Sequence, residues 1–143
     1  MERREFLRST CCACLGTGGL PAFLISCAGA SVYRAEMNHN MIRVPESIFD
    51  TGDVQLIRAP EFADDIALVR SGGRQYRAIT MRCTHADNPL SYRGGEFTCS
   101  LHGSRFSTGG DVTHGPARLP LRGLETSVGD GVVTIHVEKE RTQ

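Results

Sequence analysis

The stretch from Arg82 to Phe106, RCTHADNPLSYRGGEFTCSLHGSRF, holds a Cys-x-His pair, Cys83 and His85, and, after thirteen intervening residues, a Cys-x-x-His pair, Cys99 and His102. Thiolate and imidazole are ligands for borderline and soft metals, so four of them in two close pairs predict a metal centre. Two chemistries compete for this set. Two cysteines and two histidines satisfy a tetrahedral zinc, and the spacings are those of small zinc modules. A zinc finger, however, places both cysteines first and both histidines last, ahead of a helix, whereas each pair here contains one of each. A two-iron, two-sulfide cluster needs two ligands on each iron, converging from opposite sides. Mixed pairs meet that need when each loop sends its thiolate to one iron and its imidazole to the other, a class of site in which two His replace two Cys and raise the potential. The ligand set therefore leaves a redox-silent zinc module and an electron-transfer centre as the two readings.

The surroundings resemble the Rieske iron-sulfur family. The residues that carry the likeness are CTH at 83–85, CSLHGSRF at 99–106, and GPARLPL at 115–121, which is similar to the proline loop covering the cluster in that family. The resemblance implies one Rieske-type 2Fe-2S cluster, with Cys83 and Cys99 on an inner iron and His85 and His102 on an outer, more exposed one. It also implies redox-protein partners, a donor and an acceptor such as a cytochrome or an oxidoreductase subunit.

The neighbours refine the expectation. Ser104 matches the serine that donates to a bridging sulfide in high-potential members, although an ordinary turn serine would read the same way. Phe106 stands where those members carry a tyrosine that donates to a cysteine sulfur. One donor kept and one lost implies an intermediate potential, within about −150 to +300 mV for the class. Rieske subunits of quinol-oxidising cytochrome complexes also carry a second cysteine beside each ligand pair, and the two form a disulfide that staples the loops. The corresponding positions here look like Asn88 and Leu101, which resembles the disulfide-free ferredoxins and oxygenase modules. A quinol:cytochrome oxidoreductase subunit stays as an alternative.

The rest of the chain must position these residues. Of six cysteines in 143 residues, Cys11, Cys12, Cys14 and Cys27 lie near the N-terminus, leaving Cys83 and Cys99 in the remainder, too few for a disulfide framework. Sixteen basic and sixteen acidic residues balance, so the charge pattern of a nucleic-acid binder is absent. Three Tyr, six Phe and no Trp offer few large side chains to fill a core, and a metal-organised subdomain would offset that. No nucleophile or general-base pair stands out, so electron transfer is expected rather than catalysis by this chain alone.

Residues 1–27 read as an export signal: Arg3, Arg4 and Arg8, a weakly apolar run broken by Gly16, Gly18, Gly19 and Pro21, then LISCAGA. RREFLR resembles the twin-arginine signal, which exports proteins already folded around a cofactor. Leu24-Ile25-Ser26-Cys27 resembles a lipobox that would make Cys27 a lipidated membrane attachment in the bacterial periplasm. Cleavage after Ala30 is the alternative. Residues 28–41 are expected to be a tether, and residues 42–138 an all-β domain, a Rieske-like antiparallel base, sandwich or barrel-like, with the cluster-binding subdomain inserted at about 82–118.

Three hairpins anchor that expectation, turning at Ser71-Gly72-Gly73, Gly94-Gly95 and Gly129-Asp130-Gly131. The alternation of Ile66, Leu68 and Arg70 with Ala67 and Val69 predicts a strand covered on both faces for part of its length. Of the other histidines, His114 is expected on a solvent-facing loop and His39 and His136 at the surface. Arg82, Arg93, Arg105 and Arg118 form either a basic docking patch or a solvated face balanced by Asp87, Glu96 and Asp111.

Overall fold

The computed structural model describes residues 32–137. The expected export signal, with Cys27 and the cleavage position at Ala30, lies outside the described residues. Twelve strands and one 3-10 helix follow in the order β1 (Val32–Arg34), β2 (Met37–Asn38), β3 (Met41–Pro45), the helix (Glu46–Thr51), β4 (Val54–Arg58), β5 (Ile66–Arg70), β6 (Tyr76–Thr80), β7 (Leu90–Arg93), β8 (Glu96–Cys99), β9 (Arg105–Phe106), β10 (Val112–His114), β11 (Gly123–Gly129) and β12 (Val132–His136). No helix among the described residues is long and apolar enough to cross a membrane.

The strands make two sheets. Eight run in the order β1-β4-β5-β6-β11-β12-β3-β2, and four in the order β10-β9-β8-β7. The chain leaves the large sheet after β6 and returns to β6's other side as β11, so the small sheet is an insertion between two hydrogen-bonded neighbours. Its strands run from Leu90 to His114.

The hairpins form where turn chemistry demands them. Gly94 and Gly95 have φ of 59° and 83°, and Asp130 and Gly131 have 50° and 73°. Both are two-residue turns with left-handed central residues, the geometry that matches strand twist and that glycine enters without a Cβ clash. The β5–β6 hairpin closes through Gly72 and Gly73, with the Ser71 N–H donating to the Gln75 carbonyl at 2.9 Å.

β5 is covered on both faces, as its alternation predicts. Ile66 and Leu68 join one buried cluster with Ile42 and Val44 of β3, Ile57 of β4, Ala78 of β6, and Val133 and Ile135 of β12. Strands from opposite ends of the sheet order thus share one core, which requires the sheet to curl on itself, barrel-like. Ala67 and Val69 point the other way and join Ile79, Met81, Phe97, Phe106 and Leu121 in a second cluster that also contains Cys83 and Cys99. That second core glues the inserted sheet onto the outer face of β4-β5-β6. Period-2 side-chain alternation lets one strand serve both cores.

Two features depart from the expectation. The described part of the 28–41 tether is built into the large sheet: β1 pairs in parallel with β4, Tyr33 opposite Ile57, and β2 pairs with β3. The ladder hydrogen bonds and the buried Ala35 hold this segment, none of which shows as a periodic pattern in a three-residue strand. The 3-10 helix was also not expected. It exists to seat Phe49, which is 1% exposed and packs on Tyr76 with ring centroids 5.0 Å apart, under the Arg70 guanidinium at 5.3 Å. Arg74 and the Tyr76 hydroxyl then donate to Glu46 at 2.9 to 3.0 Å, clamping the helix start to the β5–β6 hairpin.

Candidate metal centre

Each Cys/His pair sits on a loop of the same construction. In the β6–β7 loop the Cys83 N–H donates to the Asn88 carbonyl and the Cys83 carbonyl accepts from the Asp87 N–H, both at 2.9 Å. In the β8–β9 loop the Cys99 N–H donates to the Ser104 carbonyl at 2.9 Å and the Cys99 carbonyl accepts from the Gly103 N–H at 3.1 Å. The residue four positions after each cysteine has a left-handed φ, 48° at Asp87 and 79° at Gly103. Glycine or a short polar residue enters that region most readily, so both loops close where their sequence permits it. Two matching loops then face each other across the β7–β8 hairpin, in which Leu90 lies opposite Cys99.

This architecture sorts the four side chains by chemistry. Cys83 and Cys99 are 0% and 1% exposed and their thiols are in hydrogen-bonding contact, with no disulfide between them. His85 and His102 are exposed, with ring centroids 4.9 Å apart in an edge-to-face arrangement. Among the described residues no three His, Cys, Asp or Glu side chains form a single-ion cage. The set stands as a buried thiol pair and an exposed imidazole pair, and such a division fits a two-iron centre with unlike ends.

The sulfur environment fits a thiolate. Burial pushes the Cys99 thiol up, but the backbone N–H groups of Leu101 and His102, with Cys83 and Asn88, outweigh it and hold the thiol below its usual range. Thiolate is the form that binds metal.

A third loop, 115–121, the one the resemblance makes the cover, is tied to both Cys/His loops. Ser104, 0% exposed, accepts a hydrogen bond on Oγ from the Ala117 N–H at 3.0 Å, and Thr84 Oγ1 donates to the Leu119 carbonyl at 2.7 Å. Complete burial and a bond to the GPARLPL loop set Ser104 apart from an ordinary turn serine. The only signal of Thr84 in the sequence is a hydroxyl between Cys83 and His85. Asn88 stands at the position of a staple cysteine, and its Nδ2 reaches the Cys99 sulfur at 3.7 Å.

The four arginines do not form one patch. Arg82 Nε donates to Asp64 at 2.7 Å and its Nη1 to the Asp87 carbonyl at 2.9 Å, bracing the β6–β7 loop. Arg105 lies 3.8 Å from Glu96, while Arg93 and Arg118 are exposed. His39 is exposed as expected; His114 is exposed too, but it ends strand β10 rather than lying on a loop, and His136 is half-buried beside Ser127 at 2.9 Å.

The fold and this thiol-imidazole arrangement define a Rieske-type iron-sulfur protein. The model of the Rieske 2Fe-2S domain matches residues 45–125, more than half of the chain, and the chain belongs to that family. With that, a Rieske-type 2Fe-2S cluster is the cofactor and the zinc alternative falls. The chain is 28% identical over 112 residues to the cytochrome b6-f complex iron-sulfur subunit 1 of Synechocystis sp. strain PCC 6803, covering 76% of this chain and 63% of that subunit. Among solved structures, the cyanobacterial plasma membrane Rieske protein from Synechocystis PCC 6803 superposes with a TM-score of 0.55 at 23% identity, over 65% of this chain and 95% of that one. A chain of the complex of reduced oxygenase and oxidized ferredoxin in carbazole 1,9a-dioxygenase superposes at 0.54 with 25% identity, over 73% of this chain and all of that one.

Proposed function

We propose that the protein is an exported one-electron carrier whose cluster is held by Cys83 and Cys99 on the inner iron and by His85 and His102 on the outer. The carrying observation is the division of the four side chains, thiols buried and imidazoles exposed, at the ends of two matching loops. When bound, the cluster supplies reversible one-electron chemistry at a potential that the protein tunes by hydrogen bonds to sulfur. The exposed imidazoles provide the route in and out, since the buried side is closed by the second core. Donor and acceptor are redox proteins, of the kind in which its relatives work as complex subunits or ferredoxins. The N-terminal segment supports export by the twin-arginine route and attachment to the outer face of the bacterial cytoplasmic membrane through lipidated Cys27.

Metal analysis with electron paramagnetic resonance on the dithionite-reduced protein tests this. Iron and acid-labile sulfide in equal amounts are expected, with a signal lost in Cys83→Ser and Cys99→Ser. Zinc in their place, or a silent spectrum, refutes it. Mass spectrometry of the membrane fraction reads the lipid on Cys27.

A second reading, the iron-sulfur subunit of a quinol:cytochrome oxidoreductase, draws on the likeness to a cytochrome b6-f subunit. It requires co-purification with a cytochrome b and reduction of the cluster by quinol. Asn88 and Leu101 at the staple positions weigh against it.

A further inference from the structure

Asn88 closes the first ligand loop with its backbone, accepting from Cys83 N–H at 2.9 Å, so its side chain springs from a fixed point. Its Nδ2 has two hydrogens. One goes to the Pro89 carbonyl at 3.1 Å and the other toward the Cys99 sulfur, on the second loop, at 3.7 Å. The Pro89 bond orients the amide so that nitrogen, a donor, and not oxygen, an acceptor, meets the sulfur. Sulfur is large and diffuse, so a donor contact to it is longer than one to oxygen.

The side chains at the other two places where a donor or a crosslink could stand carry no polar atom. Phe106 is wholly buried in the same core as both cysteines and has no hydroxyl, and Leu101 is 55% exposed.

We propose that Asn88 is a positioning residue that joins the two ligand loops through this hydrogen bond and raises the potential of the bound cluster. The inference rests on the reading of Cys99 as a cluster ligand. Reduction adds one electron, drawn from an external reductant, and increases negative charge on the thiolate sulfurs. An N–H aimed at one of them favours the reduced form, and more strongly where solvent is excluded. The bond replaces a covalent staple with a contact that reports directly on the charge of the sulfur.

The test is a dithionite redox titration of the full chain, unmodified and as Asn88→Leu and Asn88→Asp, followed by electron paramagnetic resonance. Both variants keep the side chain's approximate size and lose the N–H donor. Each is expected to disfavour reduction by about tenfold, about 59 mV for one electron, with the larger fall in Asn88→Asp, which adds a charge. Potentials equal to that of the unmodified protein overturn the proposal, whatever happens to thermal stability.

If either variant comes out without iron, the unmodified protein decides. Asparagine occurs three times, and Asn38 and Asn40 belong to the β2–β3 hairpin of the large sheet. Asparagine labelled with 15N in the side chain is expected to give a hyperfine coupling to the reduced cluster, and its absence overturns the proposal. An unmodified protein with no cluster signal at all refutes the cluster reading itself, a different failure.

Discussion

Ser104 Oγ, wholly buried, accepts a hydrogen bond at 3.0 Å from the Ala117 N–H of the 115–121 loop. Accepting uses a lone pair and leaves the hydroxyl proton free, so one oxygen anchors the cover and still has a proton to give toward the sulfurs. Ser104→Ala is expected to leave the Ala117 N–H unpaired, costing about 1–3 kcal/mol, and to lower the potential. Thermal unfolding and redox titration read the two effects separately. An unchanged potential shows that Ser104 is an anchor only.

Phe106 is 0% exposed and shares its core with Cys83 and Cys99. Phe106→Tyr places a hydroxyl among these sulfurs, and the potential should rise as the hydroxyl bonds a thiolate. Redox titration checks it. A tyrosine that lowers stability without moving the potential has found no sulfur to bond.

The Thr84 hydroxyl holds the covering loop at the Leu119 carbonyl over 2.7 Å. Thr84→Val keeps the shape and removes a bond worth about 0.5–1.5 kcal/mol. The cover should open several-fold more often, seen as faster loss of iron to a chelator. Equal rates would show that the Ser104–Ala117 bond suffices.

At the far end, Arg74 donates a hydrogen bond that holds the Glu46 carboxyl below its usual value of 4.5, and Tyr76 adds to it. A carboxylate with a depressed folded-state pKa stabilises the fold above its unfolded pKa, and that contribution is lost as pH falls through the depressed value. The melting temperature should therefore decline below about pH 4.5, and the decline should be shallower in Glu46→Gln. Arg74 is exposed and Glu46 only half-buried, so the difference is small, and it shrinks further in high salt. Parallel curves for the two proteins would remove Glu46 from the acid response.

Phe49 is the plug of the 3-10 helix, 1% exposed against Tyr76. Phe49→Ala is expected to cost about 3–5 kcal/mol, measured by denaturant unfolding. The ligand loops lie on the opposite face of the sheet, so the spectrum of folded variant should match that of the unmodified protein.

The legible parts of this protein in its sequence were those that local chemistry settles. Cys83, His85, Cys99 and His102 announced a metal centre by type and spacing. Gly94-Gly95 and Asp130-Gly131 announced their turns because left-handed backbone selects such residues. The alternation of β5 announced two covered faces, since side-chain direction repeats every two residues. The strands before residue 39 were not legible: a parallel partner such as Leu56 for Val32 stands far along the chain, and a three-residue strand has no period to read. The helix at Glu46–Thr51 was too short for one as well. Only the tertiary structure decided that the thiols face inward and the imidazoles outward, that Ser104 and Thr84 hold the cover, and that Asn88 reaches Cys99. Residue type and spacing set which bonds a segment can make, but burial and long-range hydrogen bonds exist only once other segments have folded against it.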